Sequence, residues 1–131
     1  MVIQKKYHFY AAHRNAEGGP KCGRLHGHTY NVVCHFKFEQ MNGSVTMLFS
    51  DIDKIVEPII KKYDHYLLLS EDDPLCSLLY LADEPFIDLP FETSAENLCI
   101  WIFNQIRNEL PIYKIELAET QTSNVVYEIS N

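Results

Sequence analysis

Cys22-Gly23-Arg24-Leu25-His26-Gly27-His28 runs directly into Thr29-Tyr30-Asn31-Val32-Val33-Cys34-His35-Phe36-Lys37-Phe38-Glu39, and the rest of the chain is read outward from this stretch. Residues 27–39 are rich in β-branched and aromatic side chains and predict a long strand, followed by a turn at Asn42-Gly43. His26 and His28 are two apart, so an extended backbone puts both imidazoles on one face. A catalytic zinc site needs three protein ligands and one open position, and this pair supplies two of the three. Cys22 is too distant in sequence to be a strand-mate of His26, but a loop can fold its thiol over the open position. Lys21 and Arg24 flank it, and nearby cations favour a thiolate. A metal beside an activated thiol points to an enzyme.

Upstream, residues 2–12 predict a strand, and residues 14–25, with Gly18, Gly19, Pro20 and Gly23, predict a loop. If the two strands pair antiparallel, the end of the first lies beside the start of the second. His13 then falls near His26 and His28 as a third ligand; the alternative is a surface or loop histidine. His35 is an odd number of positions from His28 and belongs on the opposite face. His8 and His35 are therefore expected to be structural or solvent-facing.

Downstream, Ile52, Ile55, Val56, Ile59 and Ile60 fall at helical spacing and predict a helix over 51–63, with Asp51 as N-cap or first-turn acid and Pro58 kinking its second half. Residues 70–92 carry Pro74, Pro85 and Pro90 and predict an extended loop with one short helical turn at 74–81. The main helix is expected over 94–109, with Leu98, Trp101, Ile102, Gln105 and Ile106 on one face and Pro111 beyond its end. Thr93 with Glu96 fits a capping box, whereas Ser94 with Asn97 lacks the glutamate. Residues 112–119 and 124–130 predict a closing hairpin. The order ββααββ implies an α+β fold, a four-stranded antiparallel sheet with two helices on one face. No repeat, low-complexity segment or linker divides residues 1–131, so a single domain is expected.

Hydrophobic residues make up 47% and charged residues 22% of the 131, the composition of an ordinary globular domain. A formal charge of −7 argues against a nucleic-acid partner, which calls for a basic face, but not against an anionic small substrate. Arg14, Lys21 and Arg24 can supply a local basic pocket for one. No apolar leader and no membrane-length apolar run is visible, so the expected location is the cytoplasm, with no membrane partner. Cys22, Cys34, Cys76 and Cys99 form no CxxC pair, and free thiols are expected. Cys34 and Cys99 sit in apolar patterns and read as small buried hydrophobes.

Two further features carry chemistry. Asp64-His65 follows the first long helix. A carboxylate can fix a neighbouring imidazole's tautomer and raise its basicity, as in a proton relay, although adjacent side chains also often point apart. Glu119 ends a largely apolar strand and needs a partner. A ring N–H and an exocyclic amine, as on a pterin or guanine edge, would match its two oxygens; the alternative is an exposed acid at a strand end.

Ala11-Ala12-His13-Arg14 followed by Cys22-Gly23-Arg24-Leu25-His26-Gly27-His28 resembles the signature of the 6-pyruvoyl-tetrahydropterin synthase family, and more closely its bacterial 6-carboxy-tetrahydropterin synthase branch of queuosine biosynthesis. Tyr63-Asp64-His65, Glu96-Asn97-Leu98, and Glu119-Thr120 with Tyr127 follow in the family's order. The resemblance implies the tunnelling fold (T-fold) and homo-oligomers, trimers or hexamers, with active sites between subunits. It implies His13, His26 and His28 as zinc ligands, Cys22 as general base or acid with Asp64 and His65 its relay, and Glu119 as pterin anchor. It also implies 7,8-dihydroneopterin triphosphate as substrate. Lys21 and Arg24 are candidate triphosphate contacts, with generic loop solubility as the alternative, and Glu96 is a further candidate substrate contact.

Three departures from the family pattern stand out: Leu48-Phe49 where Asp-Phe is frequent, Leu69 where Asn is frequent, and Thr93-Ser94 where Pro-Thr opens the main helix. Other readings are a pyruvoyl- or hydroxymethyl-pterin product on the same fold, a non-catalytic pterin- or purine-binding homologue, and a structural zinc domain closed by Cys22. Three imidazoles would also accept divalent ions other than zinc.

Overall fold

A computed structural model describes residues 1–130. Two long strands form its spine, β1 (Val2–His13) and β2 (His26–Lys37), and they pair antiparallel over their whole length. Between them the predicted loop contains a 3₁₀ turn and the one-turn helix α1 (Gly19–Cys22). Helix α2 (Phe49–Lys61), strand β3 (Tyr66–Ser70), helix α3 (Leu75–Leu81), strand β4 (Ile87–Leu89), helix α4 (Ala95–Arg107) and the hairpin β5 (Ile112–Ala118) and β6 (Asn124–Glu128) follow.

The sheet has six strands in the order β4-β3-β1-β2-β5-β6, which corrects the expected four-stranded antiparallel sheet and the order ββααββ. The added strands are parallel: β3 pairs with β1, and β4 with β3. The reason is local. Tyr66-Leu67-Leu68-Leu69-Ser70 is a short apolar run without alternation, the pattern of a strand covered on both faces, and Leu68 and Leu69 are fully buried. Helix α3 lies where a helical turn was expected and carries the chain from β3 to β4.

The alternation expected of β1 and β2 holds. Tyr7, Phe9, Ala11, Tyr30, Val32, Cys34 and Phe36 are buried, and Phe9 stacks on Tyr30 with centroids 4.8 Å apart. Helices α2 and α4 cover this face with Ile52, Val56 and Ile60, and with Leu98, Cys99, Ile102, Phe103 and Ile106. Polar ties fix the helices. Asp53 accepts from Tyr7 Oη at 2.8 Å and pairs with Lys5, while Tyr63 Oη donates to Gln105 Oε1 at 2.9 Å and accepts from Trp101 Nε1 at 2.9 Å.

The helix starts resolve two open alternatives. Leu48 occupies the N-cap of α2 and supplies no side-chain cap, leaving Asp51 in the first turn; the helix continues through Pro58 to Lys61. Ser94, not Thr93, caps α4, its hydroxyl accepting from Asn97 N at 3.2 Å. Thr93 is fully buried instead, and its hydroxyl faces the carbonyls of Arg14 and Leu68 at 3.3 and 3.4 Å. All four cysteines are free, with Cys34 and Cys99 buried as expected.

Candidate metal centre

The antiparallel register pairs His13 with His26 and Ala11 with His28, so all three imidazoles emerge on the helix-covered face at one end of the sheet. Their ring centroids lie 4.7 Å (His13–His26), 5.2 Å (His13–His28) and 4.8 Å (His26–His28) apart. Glu119, one residue past β5, joins them. One ligand atom from each of His13, His26, His28 and Glu119 lies within 4.8 Å of every other.

Backbone carbonyls orient two of the rings. His13 Nδ1 sits 2.6 Å from Thr93 O and His26 Nδ1 2.7 Å from Arg24 O. A carbonyl only accepts, so both Nδ1 atoms carry the proton and both Nε2 atoms present lone pairs, the second-atom arrangement of metal-bound histidines. His13 Nε2 and His28 Nε2 are buried without a hydrogen bond. A Glu119 oxygen stands 3.4 Å from the first and 2.7 Å from the second without hydrogen-bond geometry. A carboxylate beside imidazole lone pairs calls for positive charge between them. Three imidazole nitrogens and a carboxylate oxygen fit a divalent ion of the zinc class.

The electrostatics agree. Burial lowers the His28 pKa against the opposing pull of Glu119, and so favours the neutral, metal-binding ring. Contact with His13 holds the Glu119 carboxyl below its usual range, against the effect of burial, with the other two imidazoles adding to it. Beneath the cluster lies Tyr30, its ring edge-on to His28 at 5.4 Å and to His13 at 6.0 Å. Burial pushes its phenol well above the ordinary range.

The other predicted residues take varied positions. Cys22 is exposed at the end of α1 and is not one of the four clustered groups. The loop that carries it is closed by Asn15 N–H donating to Cys22 O at 2.7 Å, and Ala16 N–H donates to Glu92 Oε1 at 3.1 Å. Lys21 and Arg24 are exposed on the same loop. Arg14 does not join them as a free cation: its guanidinium pairs with Asp73 through Nε at 2.7 Å and through Nη2. Glu96 and Glu119 share a depression of about 200 Å³ with Ser123 and Asn124. His35 is buried on the opposite face, as its parity requires, with Nε2 2.7 Å from Glu116 Oε2; His8 is exposed.

Asp64 and His65 do point at each other. Asp64 Oδ1 accepts from Tyr10 N at 2.8 Å and Oδ2 stands 2.8 Å from His65 Nδ1. The Tyr10 N–H holds the Asp64 carboxyl below its usual range, with His65 adding to the effect. His65 has a left-handed backbone (φ 66°), uncommon for a side-chain-bearing residue. It lines an open depression of about 610 Å³ with Tyr10, Ala12, Gly27, Tyr66 and Glu84. Strand alternation directs Tyr10 and Ala12 away from His13, so this pair lies on the sheet face opposite the three imidazoles.

Glu92 carries no signal in the sequence, and Thr93 and Asn97 stand out there only as helix-start residues. Thr93 acts through its carbonyl, and Asn97 Nδ2 ties back to Glu92 O at 2.9 Å, neither of which a side-chain pattern reveals.

This architecture defines an α+β domain whose two longest strands hold three histidines, joined by a carboxylate from the end of β5, under the start of a covering helix. The chain belongs to the 6-pyruvoyl tetrahydropterin synthase family, whose model matches residues 2–130, and is an enzyme of that family. It is 29% identical over 137 residues to the 6-carboxy-5,6,7,8-tetrahydropterin synthase of Haemophilus influenzae, covering 96% of this chain and 97% of that one. The Synechocystis protein of the same name is 29% identical over 134 residues, covering 96% and 92%. The solved 6-pyruvoyl tetrahydropterin synthase of Caenorhabditis elegans has the same fold, with a TM-score of 0.76 at 20% identity over 99% of this chain and 96% of that one.

Proposed function

We propose that the chain is a zinc-dependent carbon–oxygen lyase of queuosine biosynthesis, converting 7,8-dihydroneopterin triphosphate and one water to 6-carboxy-5,6,7,8-tetrahydropterin, acetaldehyde and triphosphate. The observation that carries this reading is the convergence of three imidazoles, with His13 and His26 oriented through Nδ1 by carbonyls and the Nε2 atoms of His13 and His28 buried without a partner. The names of the two curated relatives support the choice of product.

His13, His26 and His28 would hold the ion. When bound, zinc supplies Lewis-acid polarisation of the substrate's side-chain hydroxyls. The remaining work falls to the chain. Glu119 accepts hydrogen bonds from the pterin's ring N–H and exocyclic amine, and Glu96 lines the same depression. Cys22 exchanges a proton with the substrate's side chain. Asp64, kept ionised by Tyr10 N–H, fixes the His65 tautomer with Nδ1 protonated and leaves Nε2 to give or take a proton. Lys21 and Arg24 neutralise the triphosphate. The imidazoles and the Asp64–His65 pair occupy opposite sheet faces, so a second copy of the chain completes each site, in a cytoplasmic homo-oligomer, a trimer or hexamer.

The test is product analysis by mass spectrometry of zinc-loaded protein and its Cys22→Ala variant given 7,8-dihydroneopterin triphosphate. 6-Carboxy-tetrahydropterin and acetaldehyde from the parent protein but not from the variant are expected. A pyruvoyl or hydroxymethyl product would move the reaction to another branch of the fold. Retained zinc and bound pterin without turnover would make the protein a binding homologue.

A further inference from the structure

We propose that Tyr30 is a positioning residue for Glu119, its hydroxyl donating to the Glu119 carboxylate when an ion occupies His13, His26 and His28. The inference rests on the metal reading above. Tyr30 is fully buried and its hydroxyl has no hydrogen-bond partner. Buried hydroxyls are seldom left so, and each exception needs a reason.

The surroundings supply one. Tyr30 follows His28 by two residues on β2 and therefore projects from the same face. On its β1 side it stacks against Phe9 at 4.8 Å with planes 8° apart, which fixes the ring. On the other side, the β2–β5 ladder pairs Asn31 with Ala118. The next position along each strand sets Tyr30 against Glu119, just past the ladder's end. Glu119 stands 2.7 Å from His28 Nε2. An ion on the imidazoles takes over those lone pairs. The carboxylate, whether it remains at the ion or turns to a substrate, then has acceptor sites left over, and Tyr30 is the neighbouring donor. The phenol, which has no partner among the other side chains, is thus satisfied when the ion is bound.

The test compares the parent protein with Tyr30→Phe in three measurements: melting with chelator present, zinc affinity by competition with a chromophoric chelator, and the visible spectrum of the cobalt(II)-substituted protein. Tyr30→Phe without metal should melt at or above the parent, because an unsatisfied hydroxyl has been removed. Its zinc affinity should fall on the order of 10-fold, as for loss of an outer partner of a ligand, and its cobalt spectrum should shift. In a Glu119→Ala background the same substitution should change zinc affinity less than 2-fold, since the acceptor it holds is gone. Tyr30→Phe with parental zinc affinity and cobalt spectrum overturns the proposal, as does an undiminished effect in the Glu119→Ala background. A parent protein that takes up neither zinc nor cobalt overturns the metal reading itself, and this inference with it.

Discussion

Thr93→Val tests how the centre is held. Thr93 is fully buried just before α4; its carbonyl accepts from His13 Nδ1 at 2.6 Å, and its hydroxyl faces Arg14 O and Leu68 O at 3.3 and 3.4 Å. Valine keeps the shape and removes the hydroxyl, so a carbonyl of the β1 end or of β3 loses a buried donor. A lost buried hydrogen bond of this kind costs about 1–2 kcal/mol. A chain of 131 residues has an unfolding entropy of roughly 0.28 kcal/mol per kelvin at its melting point, so the metal-free protein should melt about 5 °C lower. The same loss loosens the carbonyl that aims His13, and zinc affinity should fall on the order of 10-fold. Thr93→Ser, which keeps the hydroxyl, should recover most of both.

The assay is thermal unfolding with chelator, followed by zinc competition on the folded variants. Parental melting and parental zinc affinity in Thr93→Val would refute the idea that the pre-helix turn is pinned through this hydroxyl. A lowered melting point with unchanged affinity would refute only the link from the turn to His13.

Two further outcomes follow from local geometry. A Cβ on Gly18 would stand 2.6 Å from Cys22 Cβ, and Gly18 has an ordinary φ of −84°, so Gly18→Ala acts by collision rather than by backbone preference; turnover should drop on the order of 10²-fold with zinc content unchanged, as for a reacting group displaced by about 1 Å. Asp73 is held below the usual carboxyl range, first by Arg14, so the pair's contribution is present above the unfolded-state pKa and lost as pH falls through the lower folded-state value. Melts of Asp73→Asn against the parent should therefore differ at neutral pH, with the gap closing below about pH 4.

The legible part of the fold was what depends on period and parity. The two-residue spacing of His26 and His28, the even run to Tyr30 and the odd step to His35 each place a side chain on a face, and an antiparallel pair of equal strands then brings His13 opposite His26. Strands β3 and β4 escaped for a physical reason. A five-residue apolar run and a three-residue strand among prolines carry no period, and their pairing is decided by β1 accepting a parallel neighbour. The sequence leaves Thr93 and Ser94 both open as the start of α4, because Thr93 satisfies a side-chain rule; burial turns that residue inward and leaves Ser94 to the helix. Likewise Arg14 looked available until the β3–α3 turn brought Asp73 to it.

The centre's dependence on register links these points. Two of its three imidazoles are aimed by main-chain carbonyls, of Arg24 and of Thr93, so the path of the backbone sets the aim, held at position 93 by that residue's own hydroxyl. A one-residue slip of β1 against β2 would send His13 to the face where His65 lies and dismantle the donor set at once. That slip is opposed from both sides of β1: Phe9 is locked on Tyr30 across β2, and His13 is paired with Leu68 across β3. The apolar run that sequence periodicity missed is therefore part of what fixes the metal centre. Weakening β3, although it contributes no ligand, should loosen His13 before it unfolds the sheet.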